Sequence, residues 1–181
     1  MNHWARPSKD IVWISAHPYL QSCWALTKSQ FAVVKCVEKY TQPSDERWID
    51  PKSTLRQVRR IAQQYPHKRY LIHLIPPHLP FIGEQGKAFL QRIIGRMAKD
   101  GYGDFNRKLN KWGAQNDWNT LRNYYAENLQ ISMAAVEQYA GDLAPPVVVT
   151  SDHGELIGEH EQYGHAGDYA EQLYVPWAIL K

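Results

Sequence analysis

Apolar positions along this chain switch between runs of a few consecutive residues and a three-to-four residue spacing, and the switches lay out its elements. Ile11 to Ser15 and Phe31 to Val37 are short apolar runs, the pattern of strands buried on both faces. His17 to Ser29 between them reads as loop or short helix, and Tyr40 to Ile49 as an exposed connection. Asp50-Pro51 then supplies a capping acid and a first-turn proline. Leu55, Val58, Ile61, Ala62 and Tyr65 recur on one face of a helix that Pro66 ends. Tyr70 to Leu74 is a third strand, and it delivers the chain into Pro76-Pro77-His78-Leu79-Pro80, where prolines stop strand pairing.

Helical spacing returns over Gly86 to Lys99, through Phe89, Leu90, Ile93, Ile94 and Met97. Asp100 to Asp117, rich in Gly and Asn, reads as a mobile surface excursion; its Gly101-Tyr102-Gly103 is too short for a phosphate loop. Trp118, Leu121, Tyr125, Leu129, Met133, Val136, Ala140 and Leu143 predict a long helix closed by Gly141 and Pro145-Pro146. Val147 to Thr150 is a further strand and Leu173 to Leu180 the last. Strands alternating with helices predict an α/β fold, a mostly parallel central sheet with helices on both faces, in one domain spanning 1–181.

The chemistry concentrates after the fourth strand. Thr150-Ser151-Asp152-His153-Gly154-Glu155 puts a carboxylate and an imidazole at a strand's carboxyl end, the edge where open α/β sheets bind ligands. His165 follows after a loop. Oxygen and nitrogen donors side by side suit a divalent ion such as Zn²⁺ or Mn²⁺. Read with Leu156 to Glu159, Tyr163-Gly164-His165, Val175-Pro176-Trp177, the Lys68 to Gly83 segment and Tyr125 to Leu129, this stretch resembles the carboxyl-terminal part of the sulfatase-like branch of the alkaline phosphatase superfamily.

The resemblance implies a sulfatase-like α/β domain and a metal-dependent hydrolase of sulfate or phosphate esters. It also implies Asp152, His153 and His165 as residues of a divalent metal centre (Zn, Mn, Mg or Ca): Asp152 and His153 grip one ion, and His165 serves a second ion in a binuclear site or faces the substrate's oxygens, with His78 near the substrate's anionic group. The family's nucleophile and its acidic ligands, which follow a first strand, have no counterpart: Asp10 precedes Ile11 to Ser15, Cys23 leads into Trp24-Ala25, and Cys36 into Val37-Glu38. The expectation is therefore a domain truncated at its amino terminus, carrying part of an active site and no identifiable catalytic nucleophile. Thr150 and Ser151 are poor substitutes, because only His153 beside them could act as base and ligation would occupy it. The alternative is an inactive remnant serving as a binding module, or a fragment completed by another polypeptide.

Other residues read as structure. Glu155 is expected behind the metal ligands rather than among them. His73 sits in a strand and reads as a core histidine. Glu159 and His160 do not complete a His-Glu-x-x-His motif. The seven tryptophans are too dispersed for a recognition surface.

Composition narrows the classes further. With 44% hydrophobic and 22% charged residues, 181 residues can build a folded core. A formal charge of +3, with Arg56, Arg59 and Arg60 on one solvated helix face, points away from nucleic acid. Two cysteines, no apolar leader after Met1 and no membrane-length apolar run predict a cytoplasmic protein with reduced thiols and no membrane span. An uncovered sheet edge would favour a homo-oligomer.

Overall fold

A computed structural model describes residues 8–17, 30–37, 50–93, 101–165 and 167–181, with side chains from 106 onward in the helix that begins at Gly101. The expected elements at 18–29, 38–49 and 94–100, and the thiol of Cys23, lie outside the described residues. The chain divides into two compact units, Met1–Ile75 and Pro76–Lys181.

The first unit is built on three parallel strands, β1 (Ser8–Ser15), β2 (Phe31–Cys36) and β3 (Arg69–His73), in the order β2-β1-β3. β1 is the central strand, paired on both sides, and its Val12 and Ile14 are wholly buried. Its last residue, Ser15, pairs in register with Cys36 on one side and His73 on the other. Helix α1 (Pro51–Gln64) links β2 to β3. The Asp50 carboxylate accepts from the backbone N–H groups of Lys52 and Ser53, each at 3.0 Å, a cap worth about 1 kcal/mol. Leu55, Val58 and Ile61 form its buried stripe, as the spacing predicts. Cys36 is a free thiol whose pKa is raised by burial.

The second unit contains α2 (Glu84–Ile93), α3 (Gly101–Gln115), α4 (Trp118–Ala140), β4 (Val148–Thr150), β5 (Leu156–Ile157), β6 (Tyr163–Gly164), α5 (Ala170–Leu173) and β7 (Trp177–Ile179). Its strands pair antiparallel, β4 with β7 and β5 with β6. The chain is thus mixed α/β, and its parallel pairing, among the described residues, is confined to three strands. Leu79, Phe81, Phe89, Leu90, Leu109, Leu121, Ile157 and Tyr163 form one apolar core in this unit.

Three elements depart from the sequence pattern. The surface excursion expected at 100–117 is largely the helix α3. Leu109 is wholly buried and Trp112 meets Phe89 edge-on at 4.8 Å, so tertiary burial overrides weak local propensity. On α4 the buried positions are Leu121, Asn128, Ser132 and Ala135, while Leu129 is 44% exposed. Beyond Leu121 the inward face is displaced by one residue, about 100° around the helix, because a buried polar side chain claims it. The strand expected over 173–180 begins only at Trp177, since Ala170–Leu173 makes a helical turn first. No helix among the described residues is long and apolar enough to cross a membrane.

Candidate metal centre

Two loops of the second unit converge. The first, Pro76 to Pro80, brings His78; its prolines offer no N–H groups, so its carbonyls need an outside donor. Asn128 of α4 supplies one. Its side-chain nitrogen donates to the carbonyls of Pro80 (3.2 Å), Pro77 (3.3 Å) and His78 (3.5 Å), and its Oδ1 accepts the N–H of Ile82 at 2.7 Å. This wholly buried amide, missed by a search for apolar periodicity, is what holds the histidine loop.

The second loop runs from Ser151 through the β5–β6 hairpin to His165. Gly154 is required because a Cβ there would lie 1.9 Å from the Glu171 carbonyl oxygen, and its N–H bonds the Gln172 carbonyl at 3.0 Å. At the hairpin's end Gly164 has φ +123°, a conformation side chains resist, and it turns the chain outward into His165. His165 and Glu155 therefore meet: Nδ1 of His165 lies 3.1 Å from Oε1 of Glu155. The Glu155 side chain is only 4% exposed.

His78, Glu155 and His165 each offer a donor atom, all within 4.8 Å of one another. The neighbouring hydrogen bonds set the rings for ligation. Nδ1 of His78 lies 2.8 Å from the Leu79 carbonyl and Nδ1 of His153 lies 2.8 Å from the Gly154 carbonyl. An oxygen acceptor at Nδ1 places the proton there and leaves the lone pair on Nε2, the arrangement found behind metal-bound histidines.

Of the residues singled out by sequence, His78 and His165 come together, their ring centres 5.3 Å apart. The His153 ring lies 4.2 Å from that of His165, and its Nε2 is 3.8 Å from Oδ2 of Asp152. Asp152 stands at the open side, with its side chain 66% exposed and Oδ1 accepting the His153 N–H at 3.1 Å. The carboxylate within the three-donor group is Glu155, to which the sequence reading gave an outer place. As donor types the two acids are equivalent; it is the hairpin that brings Glu155 to His165.

The electrostatic surroundings are those of an enclosed acid. Tyr125 is pushed up to about 12 by burial, then by the charges of Glu155 and Asp152. Tyr163 is raised well above the usual phenol range by burial, then by Glu155. Its hydroxyl is buried without a hydrogen-bond partner among the described residues.

Two imidazoles and a carboxylate fit Zn²⁺ or Mn²⁺ better than Mg²⁺ or Ca²⁺, which favour oxygen donors. Tetrahedral bonds of ~2.0–2.2 Å set donors roughly 3.3 Å apart, so side-chain rotations of about 1 Å would close the group on an ion. A cation would also offset the cost of enclosing the Glu155 charge. Compared with protein-family models, curated proteins and solved structures, the chain matches none.

Proposed function

We propose that His78, Glu155 and His165 hold a divalent transition metal, with His153 and Asp152 at its open side. In this reading the chain carries the metal-binding part of a sulfate or phosphate ester hydrolase. The convergence of the three donors within 4.8 Å carries the proposal. Such an ion, when bound, supplies a Lewis acid for the ester oxygens. The chain's own contribution is to fix the ligands: Asn128 secures the His78 loop, and loop carbonyls hold the proton of His78 and His153 on Nδ1. In this reading the exposed Asp152 and half-buried His153 would be the first groups an ester meets from solvent. A reducing cytoplasmic location, in keeping with the free Cys36, is part of the same proposal, as is self-association through the exposed Trp177 and Ile179 of β7.

One observation favours a second reading, a metal-binding module without turnover. The serine and threonine hydroxyls nearest the cluster in sequence are engaged elsewhere: Ser151 donates to the His153 carbonyl at 2.5 Å and Thr150 to the Pro176 carbonyl at 2.8 Å. Metal analysis of purified protein, followed by aryl phosphate and aryl sulfate assays of the loaded form, separates the possibilities. Bound metal with turnover that disappears in His165→Ala supports the hydrolase. Bound metal without turnover supports the module, and absence of metal removes both.

A further inference from the structure

Glu155 and His165 lie just past the last rung of their hairpin. Ile157 pairs with Tyr163 and Leu156 with Gly164, and the two donor residues are the next ones outward on either strand. The rungs themselves are held by the core, since Leu156, Ile157 and Tyr163 are buried. Beyond them the ladder ends, and so short a hairpin has little stability of its own with which to keep its ends together. The spacing of the two donors therefore depends on what braces the open end.

One residue of α5 bonds to both sides of it. The Gln172 backbone carbonyl accepts the N–H of Gly154, directly before Glu155, at 3.0 Å. The Gln172 side-chain Nε2 donates to the carbonyl of Gly164, directly before His165, at 3.2 Å. The same turn also meets the hairpin at its tip. The His160 ring stacks on Tyr169 with centres 4.1 Å apart, and its Nε2 lies 3.5 Å from Oε1 of Glu171.

Gln172 is 4% exposed, and its Oε1 is buried without a hydrogen-bond partner among the described residues. An unsatisfied oxygen in that position is unfavourable. An apolar side chain of the same volume would fill the space without that cost, so the amide contributes through its Nε2 donor. We propose, resting on the reading that His78, Glu155 and His165 hold a metal, that Gln172 is the positioning residue of this centre. It ties the turn before Glu155 to the turn before His165 and holds the two donors at the spacing an ion requires.

The test uses the full chain and zinc. Gln172→Met keeps the length and bulk of the side chain and deletes the donor and the unsatisfied oxygen together. A purely structural role predicts a lower unfolding temperature, whereas a positioning role predicts weaker zinc binding at an unfolding temperature close to wild type. Zinc affinity against a competing chelator is expected to fall about 10- to 100-fold, the usual size for a residue behind a ligand. The absorption spectrum of the cobalt-loaded chain should change with it, because donor geometry changes. Hydrogen exchange on the wild-type chain needs no variant and decides the matter if Gln172→Met is destabilised. Zinc should slow exchange at the Gly154 amide and at the Gln172 side-chain amide together. Equal zinc affinity in wild type and Gln172→Met, or exchange at these two groups unmoved by zinc, overturns the brace and leaves the metal reading standing. A wild-type chain that binds no zinc removes the metal reading, and the brace with it.

Discussion

Nδ1 of His165 lies 3.1 Å from the Glu155 carboxylate across a tight hairpin, and this contact puts Glu155, rather than Asp152, inside the three-donor group. Glu155→Gln keeps the shape and removes the charge. Zinc affinity, measured by competition with a chromophoric chelator, is expected to fall about 100-fold, against about tenfold for Asp152→Asn. Equal losses would instead put Asp152 among the ligands, as the sequence resemblance implies.

Asn128 is expected to matter as much as any core residue. In Asn128→Ala the Ile82 N–H and the Pro77 and Pro80 carbonyls lose their partner inside the fold. Urea unfolding should show a loss of about 2–4 kcal/mol, with faster hydrogen exchange at the Ile82 amide. Unchanged exchange there would mean that the amide does not hold the His78 loop.

Gly154→Ala tests the packing behind the site. A Cβ 1.9 Å from the Glu171 carbonyl oxygen must push backbone, not a flexible side chain. The expected cost is about 2 kcal/mol or more, read by thermal unfolding, together with weaker zinc binding. A variant as stable as wild type would show that residues 171–172 do not back this loop.

Acid pH should act on the edge of the parallel sheet. A hydrogen bond from Arg69 Nε at 2.7 Å, aided by the Ser8 hydroxyl, lowers Asp10 from 3.8 to about 2. Because the folded value is the lower one, the stabilisation is present above pH 3.8 and is lost as pH falls through about 2. The pair is exposed, so salt should weaken the effect. In Arg69→Gln, an NMR titration should find the Asp10 carboxyl back near 3.8; a carboxyl still near 2 would assign the shift to other groups.

The strands β1, β2 and β3 and the helices α1 and α4 were legible because burial writes its period into sequence, and Asp50-Pro51 marks a helix start by local chemistry alone. α3 was not, because Leu109 and Trp112 gain stability from Phe89 and its neighbours, distant in sequence. His73, read as core, ends its strand on Ser15, a relation only strand register creates.

For the site, the sequence offered Asp152, His153 and His165 as groups bearing chemistry, since donor atoms belong to side chains whatever their surroundings, and the family resemblance added His78. Which of them meet was decided by tertiary structure. The Gly164 turn, the β5–β6 hairpin and the Asn128 clamp set distances between residues far apart in the chain, and those distances put Glu155 beside His165 while Asp152 faces solvent. Composition fixes which atoms can bind an ion; only folding fixes which of them share one point in space.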